Sequence, residues 1–174
     1  MKLYIVRHGK TDWNVLGKMQ GATDIPLNEM GLKQANMLKE KLEGKFDLCF
    51  SSPLERAVTT AKIITGDNPI IDERLIERRM GEFEGQSHIL YDSKKYWDYK
   101  GNYGDYGVEP IQDLFKRLDS FLKELKEKYD DKTILIVSHG ATVRALHYVI
   151  STYTEDEDFL NFDVPNCKIF EYTL

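Results

Sequence analysis

The sequence predicts an α/β domain built on a mainly parallel sheet. Short apolar runs at 2–6, 46–51 and 133–137, the last of them β-branched, alternate with stretches of helical period. The two strongest helical patterns, 28–43 and 111–125, fall between those runs rather than next to one another. No internal repeat, low-complexity tract or Pro/Gly linker interrupts the 174 residues, so one domain over 1–174 is expected.

The elements follow in order. Lys2-Leu3-Tyr4-Ile5-Val6 reads as a first strand, too short an apolar run for a signal peptide and followed at once by Arg7 and His8. After a loop, Asn28 is a helix cap, and Leu32, Ala35, Leu38 and Leu42 recur on one helical face until Gly44 stops it. A strand over 46–51 leads into Ser52-Pro53-Leu54-Glu55, which has the form of a capping box with proline at the first helical position. Leu54, Ala57, Val58, Ala61 and Ile64 are the buried face of that helix. A weakly signalled strand lies near Ile70 and Ile71.

The stretch 86–108, rich in Tyr, Lys, Gly and Asp, has no period and is expected to run irregularly over the core. Leu114, Leu118, Phe121, Leu122 and Leu125 mark a long amphipathic helix from Ile111. Thr133–Val137 is a strand covered on both faces, a helix over about 141–150 follows, and Lys168–Tyr172 alternates as a last, edge strand.

Composition narrows the function. A formal net charge of −5 argues against broad binding to nucleic acid or anionic membranes, and no apolar run approaches a membrane span. Cys49 and Cys167 lack metal-ligand spacing, Cys49 reads as a small buried hydrophobe, and a reducing cytoplasm is the expected setting. Nothing in the sequence speaks to oligomeric state.

Parallel sheets bind ligands beyond the carboxyl ends of their strands. Arg7-His8-Gly9 follows the first strand, Arg56 lies in the first turn after the second, and Ser138-His139-Gly140 follows the fourth. Taken singly, each is ordinary: a surface pair, a solvated helix residue, a turn. Together they bring two arginines and two histidines to one sheet edge of a net-acidic chain, which is an anion site. Glu77, beyond the weak third strand, reaches the same rim.

These residues sit within a longer ordered set. It comprises Arg7-His8-Gly9-Lys10-Thr11 with Trp13-Asn14, Gln20-Gly21, Asp24-Ile25-Pro26-Leu27-Asn28, Gly31 and Gln34-Ala35. It continues through Ser51-Ser52-Pro53-Leu54, Arg56-Ala57, Leu75, Glu77, Gly81 and Glu84-Gly85 to Ser138-His139-Gly140. In this the chain resembles the histidine phosphatase superfamily, which contains cofactor-dependent phosphoglycerate mutases and broad-specificity phosphatases. The resemblance implies a phosphoglycerate mutase-like three-layer sandwich with helices on both faces of the sheet.

It also implies roles. His8 would attack phosphorus through an unprotonated nitrogen, its other ring nitrogen held by a hydrogen bond. Arg7, Arg56 and His139 would grip the non-bridging oxygens, with Asn14 and the N–H of Gly140 as further donors. Glu77 would protonate the leaving oxygen and then deprotonate water. No metal or cofactor is needed, since the arginines supply the charge. His88 and His147 are expected to take no catalytic part.

Within the family, hydrolysis is favoured over the mutase reaction. The resembled mutases take extra arginines from a longer insertion, whereas here none occurs between Arg79 and Arg117 and Met80 stands where they carry tyrosine. A non-catalytic phosphate-binding module is a second alternative, disfavoured because His8 and Glu77 are both present. The expected partner is a small phosphate monoester; sugar phosphates, phosphoglycerate-like acids, nucleotide-related esters and ribazole phosphate all remain open. Lys10, Gln20, Tyr91, Trp97 and Glu109 are expected at the substrate rim. The aromatics of 86–108 either stack on a leaving group or pack the segment onto the core. At Gly107-Val108-Glu109-Pro110 the chain departs from the Gly-Gly-Glu-Ser common in the family's phosphatases.

Overall fold

The apolar runs form five strands in a computed structural model that describes residues 1–174: β1 (Lys2–Arg7), β2 (Leu48–Ser51), β3 (Ile70–Ile71), β4 (Thr133–Ser138) and β5 (Ile169–Thr173). Their order is β3-β2-β4-β1-β5, with all neighbours parallel except β5, which runs antiparallel along the edge of β1. Register sets the site. Arg7 pairs with Ser138 and Ser51 with Val137, so β1, β2 and β4 end at one level. The ladder runs one residue further, the N–H of His8 donating to the Ser138 carbonyl and that of Ser52 to the Val137 carbonyl.

The helices are α1 (Asp12–Val15), α2 (Glu29–Leu42), α3 (Glu55–Thr65), α4 (Ser93–Tyr96), α5 (Ile111–Tyr129) and α6 (Gly140–Ser151). Alternation along β1 and β4 divides the interior. Tyr4, Val6, Leu135 and Val137 pack against Leu38 and Leu42 of α2 and Ala57, Ala61 and Ile64 of α3. Leu3, Ile5, Ile134 and Ile136 face the other way, into the larger cluster formed by α5, α6 and part of the 86–108 segment. The sandwich therefore has three layers, as expected. Gly9 and Gly31 let the β1 loop meet the start of α2: a Cβ on Gly9 would lie 2.5 Å from the Gly31 carbonyl oxygen.

Several local expectations are corrected. Ser52 caps no α-helix. α3 begins at Glu55 with Leu54 at its cap, and the Glu55 N–H is taken by Asp24 at 2.9 Å. The Ser52 hydroxyl instead accepts from the Leu54 N–H and lies 2.6 Å from His139 Nε2. Leu32 is 39% exposed, because Gly31, one residue back, occupies the buried stripe of α2. Val58 is half-buried, and so is Cys49, whose thiol burial still pushes up to about 12. α1 lies in the stretch expected as a loop; Thr11 and Asn14 form a reciprocal capping box that starts it.

The 86–108 segment is less irregular than expected. It carries α4 and short 3-10 turns at His88–Leu90 and Asp105–Gly107. Tyr91, Tyr96 and Trp97 are buried in the larger cluster, Tyr91 and Tyr96 stacked with centroids 5.0 Å apart. Tyr99 packs edge-on to Phe115. Tyr103 and Tyr106 remain exposed. Packing onto the core is thus the main use of these aromatics.

Candidate active site

A cleft of about 290 Å³ opens at the carboxyl ends of β1, β2 and β4. Arg7, His8, Asn14, Gln20, Arg56, Glu77, Tyr91, Trp97 and Gly140 all line it. Chain topology alone brings Arg7, His8 and Arg56 there, at a strand end, one residue past it and in the first helical turn beyond one.

Only 1% of His8 is exposed. Its Nδ1 lies 2.6 Å from the Gly9 carbonyl oxygen, which can only accept, so Nδ1 carries the proton and Nε2 keeps its lone pair. Burial, then Arg56 and Arg7, hold the ring well below the ordinary histidine range. At neutral pH the imidazole is neutral, with Nε2 free of a proton.

The arginines are held by backbone rather than by carboxylates. Arg56 donates to the carbonyls of Thr23 and Gly21, each at 2.8 Å, and burial lowers it to about 10. The loop bearing those carbonyls is tied by Glu84, which accepts from the N–H groups of Ala22, Thr23 and Met80. Gly21 has φ +52°, and a Cβ there would strike Glu84 at 2.2 Å. Arg7 donates to the Val164 carbonyl at 2.7 Å and packs against Gly140, where a Cβ would lie 3.4 Å from its guanidinium carbon. The buried Nε atoms of Arg7 and Arg56 have no partner.

Asn14 is oriented by donors on its oxygen: Thr11 N–H at 3.1 Å and Asn166 amide at 3.3 Å. Its NH₂ is thereby turned to the cleft. Glu77 caps the N-terminus of α6. Its Oε1 accepts from the N–H groups of Arg78 (2.9 Å) and Thr142 (3.0 Å), whereas Oε2 accepts only from the Ala141 N–H (3.1 Å); the Thr142 hydroxyl donates to the Ile76 carbonyl at 2.8 Å. His139 lies behind His8, centroids 5.1 Å apart, wholly buried, with Nδ1 unpartnered and its pKa depressed chiefly by burial.

Two rim expectations fail. Lys10 does not line the cleft; its backbone bonds Gln34 and Asn28, joining the β1 loop to α2. Glu109, 5% exposed, forms a bidentate pair with Arg117 at 2.8 and 3.0 Å and accepts from the Arg79 N–H. It braces the loop behind Glu77. Gln20 lines the cleft and accepts from the Thr11 hydroxyl at 2.9 Å. His147 stacks on Phe162 away from the site, while exposed His88 reaches the cleft edge with Nδ1 on the Gly17 carbonyl.

Sequence reasoning missed Arg144, Asp163 and the supporting residues Thr142 and Asn166. Arg144 had a signal: it is the one charged side chain of α6. Asp163 and Asn166 belong to the return from α6 to β5, which has no period to read.

A profile of the histidine phosphatase superfamily (branch 1) matches residues 3–174. The chain belongs to this superfamily. Among other histidine phosphatases and their kin, it is 39% identical to the uncharacterized phosphatase PhoE of Bacillus subtilis, over 84% of this chain and 76% of that protein. It is 31% identical to a metal-independent phosphoserine phosphatase of Arabidopsis thaliana, covering 94% and 74% of the two chains. The crystal structure of a phosphoserine phosphatase mutant from Entamoeba histolytica, in complex with phosphoserine, superposes with a TM-score of 0.85 at 33% identity, covering 98% and 89%. The three-layer fold and the mainly parallel sheet are thus those of the superfamily. No helix is long and apolar enough to cross a membrane.

Proposed function

We propose that this histidine phosphatase hydrolyses small phosphate monoesters through a phosphohistidine on His8, with Glu77 as the proton donor and acceptor. The observation that carries the reading is the Nδ1–H of His8 on the Gly9 carbonyl, which leaves Nε2 unprotonated in a cleft lined by Arg7 and Arg56.

The Nε2 lone pair attacks phosphorus, and the P–O bond to the leaving group breaks in line with it. The unpartnered Nε atoms of Arg7 and Arg56, the Asn14 amide and the N–H of Gly140 in the first turn of α6 are the donors for the non-bridging oxygens. Ser52 accepts from the Leu54 N–H and lies 2.6 Å from His139 Nε2; a hydroxyl that donates there puts the His139 proton on Nδ1, whose lack of any other partner supports it as a further donor beside His8.

Oε2 of Glu77, with one N–H partner against two on Oε1, hands its proton to the departing oxygen. It then takes a proton from water, whose oxygen attacks the phosphohistidine. The N–P bond breaks, the electron pair returns to Nε2, and inorganic phosphate leaves.

The mutase reading finds less support. Of the lysines in 86–108, Lys95 pairs with Asp105 and Lys100 with Asp156, and neither they nor Lys94 line the cleft. No group of three or more His, Cys, Asp or Glu side chains gathers as a metal site.

Incubation with radiolabelled phosphate ester in chelator, quenched in alkali, tests the reading. The expected label is alkali-stable and acid-labile, maps to His8 and is absent in His8→Ala, together with phosphate release. Undiminished turnover by His8→Ala, or label in that variant, would exclude His8 as the nucleophile.

A further inference from the structure

Two cations line the cleft besides Arg7 and Arg56: Lys18, which lies over the Trp13 ring, and Arg144. Arg144 stands on α6 one helical turn past Gly140, beside the phosphate half, and lines the cleft with Trp97 and Asp163. Its Nε donates to the Phe162 carbonyl at 2.9 Å, and its guanidinium carbon lies 5.1 Å from the centre of the Trp97 ring. Two contacts from different directions thus pin the plane of the guanidinium. Neither of its Nη atoms makes a hydrogen bond or ion pair, although burial already works against the charge.

A half-buried guanidinium held rigid with its fork unpaired is matched by an anion, and its planar geometry fits a carboxylate bidentately. The phosphoryl group already has its donors in Arg7, Arg56, Asn14 and Gly140. Asp163 lies close enough to favour the charged form of both Arg7 and Arg144. It removes one unit of positive charge from the rim, which suits a singly charged carboxylate better than a second, dianionic phosphate. The small volume, about 290 Å³ for the whole cleft, limits the rest of the leaving group to a few carbons.

We propose that Arg144 anchors a carboxylate on the leaving group, so that the preferred substrates are phosphate esters of short hydroxy acids. This rests on the hydrolase reading above and assigns the specificity of the same cleft.

Two matched pairs of esters test it, each differing in the carboxylate: phosphoserine against phosphoethanolamine, and 3-phosphoglycerate against glycerol 3-phosphate. Wild type is expected to favour the acid of each pair by about 10- to 100-fold in kcat/KM, the range of a charge-assisted pair. In Arg144→Gln that ratio should fall to about one, and in Arg144→Lys, which keeps the charge but not the fork, it should lie between. Because both esters of a pair are measured on one preparation, loss of folded variant cancels from the ratio. A wild-type ratio near one, or a ratio that survives in Arg144→Gln, overturns the assignment. If wild type hydrolyses neither these esters nor p-nitrophenyl phosphate, the hydrolase reading itself falls, and this one with it.

Discussion

The two halves of the cleft are built differently. In the phosphate half, Arg7, His8 and Arg56 stand at strand ends or one turn beyond, and backbone carbonyls of Val164, Gly9, Gly21 and Thr23 hold each of them. In the other half, Tyr91, Trp97, Arg144 and Asp163 come from a helix and two aperiodic excursions, and the adjoining edge exposes Ile89 at 82%. The strand register fixes the relative positions of the first group. The second group depends on how two loops pack. Chemistry common to many esters thus rests on the rigid part, and choice of leaving group on the part whose length and pattern the sheet does not dictate.

Glu77 joins the two halves, and its replacement should have the largest effect. Glu77→Gln should lower kcat/KM by about 10²- to 10⁴-fold on an alkyl phosphate, the usual contribution of a positioned proton donor. The loss should be much smaller on p-nitrophenyl phosphate, whose leaving group departs without a proton. A steady-state comparison of the two esters checks this. Equal losses would mean that Glu77 serves only to cap α6, and the proton-transfer role would pass elsewhere.

How much could be read in advance follows the same division. Arg7, His8, Arg56 and His139 were legible because apolar period marks strands, and strand ends in a parallel sheet converge. Glu77 was legible by position, but its grip by Thr142 was not, since a threonine three residues past His139 carries no signal of its own. Ser52 illustrates a competing use of one residue: its spacing to Glu55 reads as a capping box, yet the hydroxyl is committed to His139. Glu109 reads as rim through its place against the family's Gly-Gly-Glu-Ser; only tertiary contact shows that Arg117, eight residues on, takes both its oxygens. Arg144 and Asp163 needed the fold of 152–168, which no local pattern supplies.

Glu109 provides a test with a smaller effect that sharpens the comparison. If it braces the scaffold, Glu109→Gln should destabilise the protein by about 3 kcal/mol, as breaking a buried ion pair usually does. Urea denaturation reads that loss, and KM on the surviving folded enzyme should not move. A raised KM with unchanged stability would return Glu109 to the substrate rim.

The phosphate half should also be the more acid-sensitive part of the fold. His8 and His139 both have pKa values well below the ordinary range, chiefly because burial penalises the charged ring, with the arginines adding to it. In the unfolded chain the same rings take up protons as pH falls through about 6.5. Below that value the unfolded state therefore binds more protons than the folded one, and the unfolding free energy must fall as pH falls. Each ring contributes a slope of up to about 1.4 kcal/mol per pH unit. His147, lowered mainly by partial burial, adds a lesser share. The stabilisation is fully present above about pH 7 and is lost progressively toward pH 5, before the depressed carboxylates of Asp72 and Glu124 begin to titrate. Denaturation curves at half-unit steps should show this decline, and His8→Asn should flatten it by about one proton. A decline as steep in the variant as in wild type would mean that His8 is charged in the folded protein, and a charged ring has no lone pair with which to attack phosphorus.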